Sequence, residues 1–276
     1  MTKILKKDTL SDISGTKVVR MVISAADIAK KAMPGQFVAL MVDDRGERVP
    51  LTVVEADRSS GSITIIFQEA GFTTRLLGRM NPGESLYAIV GPLGHATEIK
   101  DYGKVIIVGG GVGIAEIYPV AKALKASGNR VTTILGARAK DLLILEDELK
   151  AVSDIFLVAT DDGSYGIKGF TTDILDKELQ KDKYGLVYSV GPIPMMKRTA
   201  AVTAKYGVRT IVSLNAIMVD ATGMCGCCRV TVGGKTLFSC VDGPEFDANQ
   251  VDWDELTKRN RIYDSKEKHI CNLSKM

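Results

Sequence analysis

From Lys104 to Ala216, strand-length apolar runs alternate with helix-spaced segments, and this constrains the fold more than any other feature of the chain. KVIIVGGG reads as a buried strand entering a glycine turn. GIAEIYPVAKALKASG has helical apolar spacing, with a kink expected at Pro119. RVTTILGA is a second strand and DLLILEDELKAV a second helix. IFLVATDD, FTTDILDKELQ, YGLVYSVG, PMMKRTAAVTAKYG and VRTIVSLNA continue the alternation. Strands and helices at this spacing imply a parallel sheet covered on both faces.

The preceding residues have another texture. TKVVRMVIS, GQFVALMV, VPLTVVEA, GSITIIFQ and ESLYAIVG are short β-rich runs, separated by Pro34-Gly35, Arg45-Gly46, Ser60-Gly61 and Pro82-Gly83. Such spacing predicts an antiparallel sandwich or closed barrel, interrupted by one helix near Thr73 to Met80. From about Val219 a cysteine loop and a polar tail follow. Three regions result: a β domain over 1–100, an α/β domain over 101–218, and a cysteine-loop module over 219–276. A length of 276 residues with 45% hydrophobic residues supplies cores for such domains. A net charge of +3 does not indicate a nucleic-acid binder, so the basic tail from Lys258 to Lys268 reads as a solvated surface or partner contact. The opening MTKILKKDTLSD lacks a signal-peptide pattern, and no run approaches the ~18 apolar residues of a membrane helix. The expectation is a cytoplasmic protein.

All 5 cysteines fall late: Cys225, Cys227, Cys228, Cys240 and Cys271. Clustering of this kind points to metal ligation rather than disulfides. Asp220-Ala-Thr-Gly-Met-Cys225-Gly-Cys227-Cys228, with Cys240 beyond, matches the plant-type [2Fe–2S] spacing with Asp220 in the first position. Gly223 and Gly226 let the loop wrap a cluster and aim N–H groups at its sulfurs. The metal ligands expected are Asp220, Cys225, Cys228 and Cys240, leaving Cys227 and Cys271 spare. The alternative is zinc held by Cys225, Cys227, Cys228 and Cys240, although residues 225, 227 and 228 crowd one small ion. Asp220 could equally be a solvated loop residue.

Gly109, Gly110, Gly111 and Gly113 stand between a strand and a helix, where backbone N–H groups can meet a pyrophosphate. The turn is not a strict G-x-G-x-x-G, and the acidic ribose contact about 20 residues on is missing. Arg138, with Lys140 nearby, follows the second strand. It either favours a 2′-phosphate, hence NADP(H), or is a surface arginine. The histidines His95 and His269 read as bystanders, and no acid–base catalytic constellation is visible.

Arg48-Val-Pro50-Leu51-Thr52, then Gly71-Phe-Thr73-Thr74 at a helix start, then Gly91-Pro-Leu-Gly94 resemble the ferredoxin–NADP reductase superfamily. That resemblance implies an antiparallel flavin-binding barrel in which Arg48 meets the pyrophosphate of FAD and Thr52 lies near the isoalloxazine. Adding VGGGVGIAEIYPVAKAL, ATDDGSYGIKGF (with Asp161), VGPIPMM (with Gly191 and Pro192) and D-ATGM-CGCC-R narrows it. The chain resembles the small-subunit family of NADH-dependent reduced ferredoxin:NADP⁺ oxidoreductases, which are electron-bifurcating heterodimers. Electron-transfer subunits of dihydroorotate dehydrogenase, which carry four cysteines, and hydrogenase diaphorase partners are the alternatives; a nucleotide-responsive zinc protein without enzymatic activity is a third. The resemblance implies FAD, one [2Fe–2S] cluster and NAD(H), a larger partner subunit with its own FAD and [4Fe–4S] clusters, and ferredoxin reached through the complex. It favours NAD(H) over the NADP(H) reading of Arg138.

Overall fold

The computed structural model describes residues 2–13 and 15–266. Cys271, His269 and the end of the basic tail lie outside them. By contacts the chain divides into two compact units. One holds the residues up to His95, Asn215–Pro244 and the segment from Asp252; the other holds Ala96–Leu214 and Glu245–Val251. This division differs from the three textures of the sequence, because it is drawn by pairing and packing between residues distant along the chain.

The first unit opens with β1 (Ile4–Ile13), β2 (Thr16–Ser24), α1 (Ala26–Lys31), β3 (Phe37–Met41), β4 (Val49–Thr52), β5 (Glu55–Asp57), β6 (Ser62–Gln68), α2 (Phe72–Arg79) and β7 (Ala88–Leu93). The strands form a 4-stranded sheet in the order β1-β2-β6-β5 and a 3-stranded sheet in the order β4-β3-β7. Both are antiparallel. Two seams join them. At one, Val53 N–H donates to Gln36 O and Val54 N–H to Thr64 O; at the other, Leu86 N–H donates to Thr2 O and Ile4 N–H to Glu84 O. The barrel expected from the sequence is therefore two sheets stitched at both edges. Its core follows the two-residue period: Val19, Met21 and Ile23 face Phe67, Ile65 and Ile63 across the β2–β6 pair, all fully buried. Each such side chain contributes about 1.5–3 kcal/mol of hydrophobic stabilisation.

The second unit runs β8 (Lys104–Gly110), α3 (Gly113–Ala126), β9 (Arg130–Ala137), α4 (Glu146–Ala151), β10 (Ile155–Thr160), β11 (Ile167–Lys168), α5 (Thr171–Lys181), β12 (Leu186–Val190), α6 (Ile193–Lys205) and β13 (Thr210–Ser213). The chain then returns to the first unit for the hairpin β14 (Arg229–Val232) and β15 (Lys235–Phe238). It adds β16 (Glu245–Asp247) to the second unit and ends its described elements with α7 (Trp253–Arg259) in the first. The 7-stranded sheet has the order β11-β10-β9-β8-β12-β13-β16. It is parallel except for β16, which runs antiparallel to β13. Helix α3 packs with α4 and α5 with α6, as a sheet covered on both faces requires. The strand order reverses at β8, flanked by β9 and β12.

One local expectation is corrected. DLLILEDELKAV is not one helix: a 3₁₀ turn spans Lys140–Leu142, Leu145 takes a φ of +54°, and only Glu146–Ala151 is α-helical. Burial of Ile144 and Leu145 goes with that turn. Helix α3 runs unbroken through Pro119. Its fully buried face of Ile114, Ile117, Val120, Ala121 and Leu124 holds it together across the hydrogen bond that proline cannot make.

Candidate cofactor sites

In an open parallel sheet, ligands bind beyond the carboxyl ends of the strands where the order reverses. Here that point lies between β8 and β12, and the Gly109–Gly113 turn and Gly191-Pro192 follow those two strands. The turns touch. A Cβ on Gly113 would fall 2.7 Å from Val190 O and 3.0 Å from Gly191 Cα, so only glycine permits the approach. Gly111 has a φ of +57° and open space where a side chain would stand, leaving the apex of the turn accessible to a phosphate. Pro192 caps α6. Arg138 follows β9 and is exposed; Asp161 follows β10 and is exposed. Asp162 N–H donates to Arg138 O at 3.2 Å and Asp161 N–H to Ala137 O at 3.1 Å, so these two turns are bonded together. Hydrogen bonds from the Ser164 hydroxyl and N–H hold the Asp162 carboxyl below its ordinary range.

In the first unit, Pro50, Leu51 and Thr52 lie on β4, opposite Ala39, Val38 and Phe37 of β3. β4 is a sheet edge, where proline is tolerated. Gly71 caps α2, and Thr74 closes a capping bond, accepting from Gly71 N–H at 3.0 Å. Thr73 is buried and its hydroxyl donates to Glu47 Oε2 at 2.6 Å, which ties the first turn of α2 to the residue before Arg48. The Arg48 guanidinium is engaged as well. Its Nη1 lies 3.2 Å from Asp220 Oδ1, across 172 residues of sequence.

The cysteine loop is built from its backbone. Ala221 takes a φ of +66°, and Thr222 donates both its N–H, at 3.1 Å, and its hydroxyl to Asp220 Oδ2. The Thr222 hydroxyl, with help from Arg48, holds the Asp220 carboxyl below the usual carboxylate range. Cys228 and Cys240 are buried with their sulfurs 3.1 Å apart. Backbone N–H groups approach three sulfurs: Cys227 N–H to Cys225 at 3.5 Å, Cys240 N–H to Cys228 at 3.4 Å, and the Gly223 backbone to Cys240. Burial, then the neighbouring Cys228, pushes the Cys240 thiol up to about 12.

Two segments match known domains: residues 107–201 the oxidoreductase NAD-binding domain, and residues 215–252 the iron–sulfur cluster binding domain of dihydroorotate dehydrogenase B. The chain is 50% identical over 246 residues to the dihydroorotate dehydrogenase B (NAD(+)) electron transfer subunit homolog of Thermotoga maritima, covering 89% of this chain and 87% of that one. It is 33% identical to the electron transfer subunit of Geobacillus thermodenitrificans, over 85% and 93% of the two chains. The chain belongs to this family of electron-transfer subunits. It also matches a chain in the structure of NADH-dependent reduced ferredoxin-NADP oxidoreductase, solved for insight into flavin-based electron bifurcation. The TM-score is 0.93, with 46% identity over 99% of this chain and 97% of that one.

This electron-transfer subunit thus carries an NAD-binding domain and an iron–sulfur binding domain on a ferredoxin–NADP reductase-type fold. Among the described residues no helix is long and apolar enough to cross a membrane. Nor do any three His, Cys, Asp or Glu side chains among them converge as ligands for a single ion. The buried Cys228–Cys240 pair suits one iron of a binuclear cluster, which takes two protein ligands per iron. Sequence reasoning missed Arg259 on α7. Its Nη2 donates to Cys227 O at 2.8 Å and its Nε to Arg229 O at 3.1 Å, clamping the loop from behind. It sits in the tail read as solvated surface, and no local pattern marks it.

Proposed function

We propose that the chain is the small subunit of an electron-bifurcating NADH-dependent reduced ferredoxin:NADP⁺ oxidoreductase, exchanging hydride with NAD(H) and passing single electrons to a larger partner subunit. The observation that carries this reading is the loop in which Asp220 precedes three sulfurs that backbone N–H groups approach, in a chain similar over its length to that complex's structure. Asp220, Cys225, Cys228 and Cys240 would ligate the [2Fe–2S] cluster. Arg48 would offer its remaining N–H groups to the FAD pyrophosphate, with Pro50, Leu51 and Thr52 along the flavin and Gly71, Thr73 and Thr74 at the N-terminal end of α2. Gly109, Gly110, Gly111, Gly113, Gly191 and Pro192 would cradle the nucleotide, with Arg138 and Asp161 at its rim. Bound flavin supplies the conversion between a hydride and single electrons. The chain's own residues bind and orient; none is required to move a proton in the hydride step.

Two cheap measurements test this. The purified chain should show flavin and [2Fe–2S] absorption, and it should co-purify with a larger flavin and [4Fe–4S] subunit in a complex that couples NADH to ferredoxin and NADP⁺. The names of its relatives favour a second reading, the electron-transfer subunit of a dihydroorotate dehydrogenase. Dihydroorotate-dependent NAD⁺ reduction by the purified complex would replace the first reading with the second.

A further inference from the structure

We propose that Arg48 is a positioning residue of the cysteine loop: it fixes the Asp220 carboxylate and raises the reduction potential of the cluster. The inference rests on the cluster reading above and extends it to a residue outside the ligand set. Three observations carry it. The Arg48 Nη1 lies 3.2 Å from Asp220 Oδ1, so the fold places a permanent cation on the loop carboxylate. The other carboxylate oxygen is taken by the Thr222 N–H and hydroxyl, so the group is held from both sides in one orientation. The Asp220 side chain is only 19% exposed and that of Arg48 44%, so solvent screens the pair incompletely.

Reduction adds one electron to the cluster and converts one ferric iron to ferrous, without a bond breaking in the chain. The added negative charge is favoured by a nearby cation. A carboxylate drawn toward a guanidinium also donates less charge to iron. Both effects act in the same direction, favouring the reduced state. Arginine suits the task because it stays protonated at any working pH and its planar fork has donors to spare beyond Asp220.

The test uses the full chain depleted of flavin, so that any role of Arg48 in flavin binding does not enter, with dithionite as the electron source. Iron content and the reduced-cluster paramagnetic resonance signal are followed through a redox titration of wild type, Arg48→Gln and Arg48→Lys. We expect Arg48→Gln to shift the one-electron equilibrium about tenfold toward the oxidised cluster, which is about 59 mV for a one-electron couple. Arg48→Lys, keeping the charge, should recover most of that shift. A loaded Arg48→Gln chain with the wild-type potential overturns the inference. So does an Arg48→Lys chain displaced from wild type by the full tenfold, a comparison that decides the matter even should Arg48→Gln not fold. Flavin reconstitution of the same variants is read separately. Lost flavin affinity with an unchanged potential sinks this inference and leaves the flavin assignment standing; a shifted potential with full flavin does the reverse. A wild-type chain that takes up no iron overturns this inference and the cluster reading together.

Discussion

Ala221 holds a left-handed backbone, φ +66°, while being almost fully buried beside Asp220. A non-glycine residue there costs about 1–2 kcal/mol. Glycine would remove that strain but give up about 0.8 kcal/mol of methyl burial and raise the entropy of the unfolded chain by about 0.4–1 kcal/mol. The terms nearly cancel. We therefore expect Ala221→Gly to melt within a few degrees of wild type with full iron. Ala221→Val, β-branched and unable to adopt this φ cheaply, should lose iron. Thermal melts and iron per chain check both; full iron in Ala221→Val would show that the turn does not hold the loop. The ligand assignment has its own test. Asp220→Ala should make the cluster labile, whereas Cys227→Ser should leave iron content and spectrum unchanged. Iron retained in the first and lost in the second would exchange the two roles.

At the scale of elements, β16 brings Glu245 against Tyr188 of β12, and both the Tyr188 hydroxyl, at 2.8 Å, and the Thr97 hydroxyl, at 2.5 Å, donate to Glu245 Oε1. Burial raises the Glu245 carboxyl above its ordinary 4.5, only partly offset by those two donors. A group whose folded value is raised contributes most at low pH. Its contribution is intact below 4.5 and is lost as pH rises from there through the raised folded value. Glu245→Gln keeps an acceptor for both hydroxyls and should flatten that part of the stability–pH curve. Glu245→Ala should cost about 1–3 kcal/mol by orphaning the buried Tyr188 hydroxyl. Urea melts across acid to neutral pH check this; a Gln variant with the wild-type slope would place the titration elsewhere. Arg259→Ala, removing two charge-assisted bonds to the cysteine loop, should speed iron loss to a chelator, and an unchanged rate would count against the clamp. These elements also mark the limit of what the sequence discloses. β2, β9 and the turn after β8 are legible because their apolar periods and glycines are local. The charged edge strand β1, the added strand β16 and the loop-clamping α7 owe their places to partners far along the chain, so neither KKD nor WDELTKR shows where it packs. The cysteine spacing is legible, but the ion pair between Arg48 and Asp220 is not, because nothing local joins residues that far apart.

For the whole molecule, the two units divide the matched domains: the NAD-binding domain lies in one, and the cysteine loop of the iron–sulfur domain in the other. The choice between NAD(H) and NADP(H) is the property of the whole chain most open to test. Arg138 and Lys140 invite a 2′-phosphate. Two features of the second unit weigh against it. Asp161 and Asp162 follow the neighbouring strand, and the Asp162 N–H bonds the Arg138 carbonyl, so carboxylates stand beside the basic residues. The Asp162 carboxyl is held below its ordinary range by Ser164, and it stays anionic at any working pH. Like charge opposes a phosphate and leaves a ribose hydroxyl unaffected. Anaerobic titration of the reconstituted chain should therefore bleach the flavin with NADH in preference to NADPH, and Arg138→Ala should change the NADH response less than about threefold, the scale of an exposed charge. Asp162→Asn should narrow the preference by improving NADPH. A wild-type preference for NADPH, abolished selectively by Arg138→Ala, would assign the arginine to a 2′-phosphate and reverse the choice of nucleotide.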